Sequence, residues 1–125
     1  DIVCLINYFF KSSAAGKVKV ELEVVESDMC RLFHIDNVSQ RLLCTYLGPG
    51  TEWLNNSNAN RSRLGKGSNK SIVRDFGKIN RASTFDIVLL KGEKHDHLGP
   101  GRGVVHRSPP IEHLGIKRVL LRIDE

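Results

Sequence analysis

Three residues of this chain have the types and the spacing to hold a metal ion: His34, Asp36 and His106. His34 and Asp36 stand two apart in Phe33-His34-Ile35-Asp36. On an extended segment successive side chains alternate, so this imidazole and carboxylate share a side, roughly 6–7 Å apart along the chain. That suits two adjacent corners of an octahedral site. A third donor is offered 72 positions after His34, where Val104-Val105-His106-Arg107-Ser108-Pro109-Pro110 sets a histidine at the end of an apolar run. Two histidines and one carboxylate form the facial triad of non-haem Fe(II) oxygenases, which leaves three positions for substrate and oxygen. The bland alternative is a pair of hydrogen-bonded structural histidines.

Enzymes of this kind that use 2-oxoglutarate need a cation for the far carboxylate of that co-substrate. Arg supplies it as a bidentate fork and Lys as a point charge. The place for it is the strand after the second histidine, Gly115-Ile116-Lys117-Arg118-Val119-Leu120-Leu121-Arg122. Alternation groups Lys117 with Val119, Leu121 and Ile123, and Arg118 with Leu120 and Arg122. The first set is more apolar, so Lys117 is expected to point inward unless a bulge shifts the phase.

Several other residues lie near these. Cys30 shares the predicted face of His34 and Asp36, and a thiolate there would shift metal preference towards zinc. The plainer reading is a small buried residue. His95-Asp96-His97 resembles a second ligand cluster but sits in a Gly-rich loop. Trp53 reads as a core plug. Glu52, Lys91 and Glu93, near strand ends, are candidates to support the site. Arg61 and Arg63, in a long polar loop, could clamp an anionic substrate. Arg107 should point away from His106.

The elements that must position these residues are mostly strands. Ile2, Val3, Leu5, Ile6, Phe9 and Phe10 fit a short amphipathic helix over 2–13. Lys17 to Val24 alternates, with Val18, Val20, Leu22 and Val24 expected inside and Lys17, Lys19, Glu21 and Glu23 wet. Further strands are predicted over 30–36, 41–47, 85–91, 103–107 and 117–123, with Gly48-Pro49-Gly50 as a turn. Residues 55–71 read as a long surface loop and 92–103 as a second, Gly-rich one. Leu-Gly-Pro-Gly occurs at 47 and again at 98, which is repeated turn chemistry. No βαβ rhythm is present. The expected class is mainly β, a double-stranded β-helix (jelly roll, cupin-like) with a short N-terminal helix, spanning 1–125 as one domain.

Composition agrees. The chain has 125 residues, 40% hydrophobic and 26% charged, an ordinary globular mixture. No apolar run approaches the ~20 residues of a membrane helix. Net charge is +5, and seven basic residues between Arg61 and Arg81 face one acid, Asp75. That strip is either a solvated loop or a phosphate-facing surface. Without an aromatic array, nucleic-acid binding is not expected. Three cysteines and no secretory signal point to reduced thiols in the cytoplasm. The chain begins at Asp1 in an apolar stretch, which reads as the C-terminal part of a longer protein. P-loop, Gly-x-Ser-x-Gly and Cys-x-x-Cys patterns are absent.

The words of the sequence also carry a resemblance. Phe33-His34-Ile35-Asp36, the run from Arg41 to Leu54, Asn60-Arg61-Ser62-Arg63-Leu64-Gly65, Leu89-Leu90-Lys91-Gly92-Glu93 and His106-Arg107-Ser108-Pro109-Pro110 closely resemble an uncharacterised family, domain of unknown function 1826. The likeness runs from about residue 17 to the end. It favours Arg118, an Arg directly before a Leu-rich strand. More distantly, the order His-x-Asp, apolar strand, Gly-turn, His and Gly-x-Lys is similar to prolyl 4-hydroxylase-type 2-oxoglutarate oxygenases. That likeness implies His34, Asp36 and His106 as iron ligands and Lys117 as the co-substrate cation. It also allows Tyr46 to add a hydroxyl to the co-substrate carboxylate. The Gly-Pro-Gly-Thr-Glu-Trp turn and the Asn/Arg-rich loop depart from the hydroxylase pattern, so substrate class stays open: a small molecule or a protein side chain. Three functions follow as expectations. They are an Fe(II)/2-oxoglutarate oxygenase, a non-catalytic cupin-like metal protein holding zinc, and an anion-binding module built on the 61–81 strip.

Overall fold

Ile2, Leu5, Ile6 and Phe9 recur at helical spacing, and helix α1 runs Ile2–Ser12. Its buried Leu5 and Phe9 close over Leu42, Cys44, Leu121 and Ile123 of the sheet beneath. The computed structural model describes residues 1–125.

Two antiparallel sheets make up the rest. The larger has the order β1 (Lys19–Val25), β7 (Arg118–Asp124), β2 (Gln40–Leu47), β5 (Ile87–Lys91). The smaller has the order β4 (Asn80–Arg81), β3 (Glu52–Trp53), β6 (His106–Arg107). The segment carrying His34 lies against β6 through a reciprocal pair of backbone hydrogen bonds between His34 and His106, each 3.0 Å. All named ladders are antiparallel, and each joins strands far apart in the chain.

Both faces of the large sheet are covered at its centre. Leu42, Cys44, Leu121 and Ile123 meet α1. On the opposite face Leu43, Leu90 and Leu120 cluster with Val88 and with Val104, from the chain leading into β6. A third cluster, Phe33, Leu54, Ala59, Ile72, Val73 and Val105, lies beyond the small sheet. Trp53 and His106 are register partners, so their side chains share the face turned to the large sheet, while Leu54 and Val105 turn away.

Four expectations change. Residues 30–36 do not form a ladder strand: only His34 is bridged, and Cys30 sits at φ 39°. The alternation of Phe33, His34, Ile35 and Asp36 nonetheless survives, with Phe33 and Ile35 packed in the third cluster. β1 is inverted. Val20, Leu22 and Val24 are exposed and Glu21 and Glu23 are the half-buried residues, because Arg122 on β7 binds both carboxylates. Residues 55–71 are not structureless. They fold into two 3-10 turns and helix α2 (Asn69–Ile72), because Ala59 and Ile72 bury their side chains. The strand over 103–107 shortens to the two residues of β6.

Candidate metal centre

His34 and His106 are brought together by the bridge between their backbones. Their rings lie 4.6 Å apart between centroids. In each, Nδ1 contacts the carbonyl oxygen two residues earlier: His34 to Leu32 at 2.8 Å, and His106 to Val104 at 2.9 Å. A carbonyl can only accept, so each Nδ1 is assigned the hydrogen. In the neutral ring Nε2 then carries a bare lone pair, which is how a metal-binding histidine is usually oriented.

Both Nε2 atoms face Asp36. His106 Nε2 is 3.0 Å from Oδ2 and His34 Nε2 is 3.3 Å from Oδ1. Arg41 Nη1 lies 2.7 Å from Oδ2. Oδ2 is buried, and none of these close contacts is aligned as a hydrogen bond to it. One ligand atom from each of the three residues falls within 4.8 Å of the others. Two bare nitrogens facing a carboxylate repel unless something positive lies among them. Either protons on Nε2 or a divalent cation meets that need, and the donor set, two imidazole nitrogens and a carboxylate oxygen, fits a first-row divalent metal.

Burial alone would raise the Asp36 carboxyl. The imidazoles of His106 and His34 and the Arg41 guanidinium outweigh it and hold the group well below the usual carboxylate range. Asp36 conversely raises His34, against the opposing effect of burial.

The surroundings fix this geometry. Arg41 is itself gripped by Asp124, Nε to Oδ1 at 2.5 Å and Nη2 to Oδ2 at 2.7 Å, so β2, β7 and Asp36 are tied through one guanidinium. Asn69 of α2 holds the approach to His34: Phe33 N donates to its Oδ1 at 2.9 Å, and its Nδ2 donates to Arg31 O at 2.9 Å. Gly92 packs so closely on the carbonyls of Val38 and Asp36 that a Cβ there would overlap both. Neither Asn69 nor Arg41 stood out in the sequence. An Asn in a polar loop carries no periodic signal, and Arg41 looks like a strand-edge charge.

A cavity of about 40 Å³ lies between the sheets, walled by His34, His106, Arg41, Leu43, Thr51 and Leu120 among others. Cys30 lines it but is exposed rather than buried, and its sulfur is outside the ligand cluster. Of the two cations expected after His106, Arg118 turns inward and Lys117 does not. Lys117 precedes β7 and pairs with Glu26 at 2.7 Å on the surface. Arg118 is 1% exposed, donating through Nε to Pro49 O at 2.7 Å and through Nη2 to Thr45 Oγ1 at 3.3 Å. Its Nη1 is buried without a partner. The inward phase differs from expectation because both faces of β7 are buried, so apolarity could not choose between them. Gly48, at φ 83°, makes room for the Arg118 stem, where a side chain would collide.

Tyr46 is not brought to the site. It packs with the α1 cluster on the other face of the sheet, and its hydroxyl donates to Asp1 Oδ2 at 2.5 Å. Glu52 is buried beneath the small sheet, accepting from Arg107 Nε at 2.6 Å and Arg81 Nε at 2.9 Å. Arg107 points away from His106 and stacks on Phe33, 4.7 Å from the ring centroid. Arg61 donates to Gly101 O and Gly103 O, both at 2.8 Å, and so pins the 92–103 loop, while Arg63 is exposed. Glu93 accepts from Gly101 N at 2.6 Å in the same loop. His95 and His97 lie edge to face, 5.9 Å apart, outside the ligand cluster. All three cysteines are free, and no helix is long and apolar enough to cross a membrane.

Fold and site together define a mainly β protein of two antiparallel sheets that presents a His-x-Asp and His cluster between them. The chain belongs to the family described as a protein of unknown function (DUF1826), whose model matches residues 1–124. The match takes in α1, beyond the residues that carry the resemblance by eye. No curated protein and no solved structure matches it.

Proposed function

We propose that this protein binds a divalent metal through His34 Nε2, the Asp36 carboxylate and His106 Nε2, and acts as an Fe(II)/2-oxoglutarate-dependent oxygenase in a jelly roll. The observation that carries the reading is the convergence of those three donors within 4.8 Å, with each Nδ1 held by a backbone carbonyl. Strand order supports it. With the His34 segment placed beside β6, the sheets run β1-β7-β2-β5 and His34 segment-β6-β3-β4, the two interleaved halves of an eight-stranded double-stranded β-helix.

Arg118 supplies the cation for the co-substrate. Its orphaned Nη1 has a hydrogen to give, and Leu120, two residues on along the same face, lines the cavity beside the histidines. A buried, unpartnered guanidinium donor costs about 1–3 kcal/mol, a cost that a ligand carboxylate removes. The cavity has room for about one water at its present size, so a dicarboxylate must displace it and part Leu43 from Leu120. Asp36, fixed by Arg41, and the two histidines would hold the metal through three donors, a set that leaves positions for further ligands. Bound iron would supply oxygen activation. The overall reaction takes 2-oxoglutarate, O2 and a substrate C–H to succinate, CO2 and the hydroxylated product, one oxygen atom going to each organic product.

The test is succinate formation from 2-oxoglutarate by anaerobically iron-loaded protein on admission of air. Turnover lost in His106→Ala is expected. Bound metal without 2-oxoglutarate binding would instead mean the non-catalytic, zinc-holding form of the same site.

A further inference from the structure

Beside the candidate metal centre, on the open side of the sandwich at the β5 edge, lies a groove of about 370 Å³. That is within the usual size of a small-molecule site. Trp53, Leu98 and Val104 give it an apolar wall, and Arg61, Lys91 and Arg102 give it three cations. No acidic side chain lines it. Lys91 and Arg102, both exposed, make no ion pair, whereas Arg41 is held by Asp36 and Asp124, Arg107 by Glu52 and Arg122 by Glu21 and Glu23. The indole of Trp53 also walls a second, wholly apolar hollow of about 300 Å³ along Ile87–Leu90. Cationic groove and apolar hollow are therefore continuous across one aromatic ring.

We propose that this groove binds an organic anion with a flat or apolar body and about two negative charges, such as a phosphate monoester. Its head group lies between Lys91 and Arg102, with Arg61 adding field, and its body rests on Trp53. Two free cations favour a dianion over a monocarboxylate. Arg61 contributes less than a free guanidinium, because it already donates to Gly101 O, Gly103 O and Asn56 Oδ1.

The groove also touches the candidate centre. Val104 lends its side chain to the groove wall and its carbonyl to His106 Nδ1. Arg61 forms a wall shared with the cleft of about 410 Å³ that half-buried His34 also lines. On the metal reading proposed above, the anion bound here is the substrate. The binding site itself does not depend on that reading.

The chain has a single tryptophan, so its one indole N–H signal in a 15N spectrum reports on the groove and on the hollow that shares this ring, and the charge-reversal variants assign a shift to the groove. Phenyl phosphate is titrated into the full chain, with phenol and inorganic phosphate as the two halves of the probe. The expected result is a saturable shift of the indole signal by phenyl phosphate, at least tenfold tighter than by either half. Affinity should fall with added salt, and at least tenfold in Arg102→Glu and Lys91→Glu. Both are exposed positions, so the variants keep the fold. No saturable shift, or wild-type affinity in the two variants, overturns the proposal. Repeating the titration with His34→Ala separates the two ideas. A shift that persists in a protein unable to hold metal keeps the groove even if the oxygenase reading falls, whereas metal binding without the shift removes the groove alone.

Discussion

Replacing Arg118 with Met separates a ligand-binding guanidinium from a structural one. Arg118 is 1% exposed and its Nη1 has no partner. Glu52, the acid whose charge acts on it, is already bound by Arg81 and Arg107. Losing Arg118 therefore strands no carboxylate. The substitution forfeits the bond to Pro49 O, about 1.5–3 kcal/mol for a charged donor, with the longer, weaker one to Thr45 Oγ1, and removes an unsatisfied buried donor worth about 1–3 kcal/mol. Met fills a similar volume. The two effects nearly cancel, in line with the small or favourable changes seen when buried charges give way to apolar residues. Stability should change by no more than about 1.5 kcal/mol, which for a chain of this length is about 6 °C in melting temperature. Affinity for 2-oxoglutarate, measured by calorimetry on metal-loaded protein without oxygen, should fall by at least about 2 kcal/mol, or ~30-fold. Metal content should not change. A fall in melting temperature beyond about 12 °C would show that the guanidinium is structural, and unchanged 2-oxoglutarate affinity would remove it from the site.

Other outcomes follow from the same contacts. Glu52→Gln leaves Arg107 and Arg81 without their shared carboxylate, and should cost about 3 kcal/mol in chemical denaturation, the low end for a buried pair because Arg81 is open to solvent. Asn69→Ala frees Phe33 N and Arg31 O and should weaken metal affinity about 10–100-fold by competition with a chelator, with a smaller effect on stability. Gly92→Ala should disturb the Asp36 carbonyl and lower both stability and metal affinity, whereas Gly65→Ala, where a Cβ has open space, should leave metal affinity unchanged. In chelator, melting temperature should peak between about pH 4 and 6.5. The Asp36 carboxyl is depressed, so its contribution is present above its unfolded pKa and fades as pH falls through the folded one. His34 is raised, so its contribution is complete below its unfolded pKa and is lost as pH rises through the folded one. With metal present the fall on the alkaline side should give way to a rise, since the raised His34 proton must leave before the metal binds.

Helix α1, strands β2, β5 and β7 and the two Gly-rich turns were legible in the sequence, because periodicity and turn chemistry act locally. The convergence of His34, Asp36 and His106 was legible as well: a His-x-Asp alternation survives even where the ladder around it does not, since the His34 bridge to His106 fixes the phase. The failures have one physical origin. Alternation shows which residues share a face and not which face meets what. Leu120 and Leu121 are both buried, so β7 gave no apolar clue that Arg118 turns inward. Tyr46, which the oxygenase likeness had offered to the co-substrate, shares the face of Leu42 and Cys44 and so lies under α1. In β1 the usual rule reversed, because Arg122 makes the charged face the half-buried one. Asn69, Arg41 and Asp124 act through contacts between residues far apart in the chain, and single-sequence patterns carry no trace of those.

The most direct test is the metal content of purified protein by elemental mass spectrometry, wild type beside His34→Ala and His106→Ala. The donor geometry predicts close to one divalent metal per wild-type chain and near zero in both variants, with folding intact by circular dichroism. Wild-type protein that holds no metal after anaerobic reconstitution with iron and with zinc would contradict it. His34, Asp36, His106 and Arg41 would then be a buried charge network whose missing positive charge is supplied by protons.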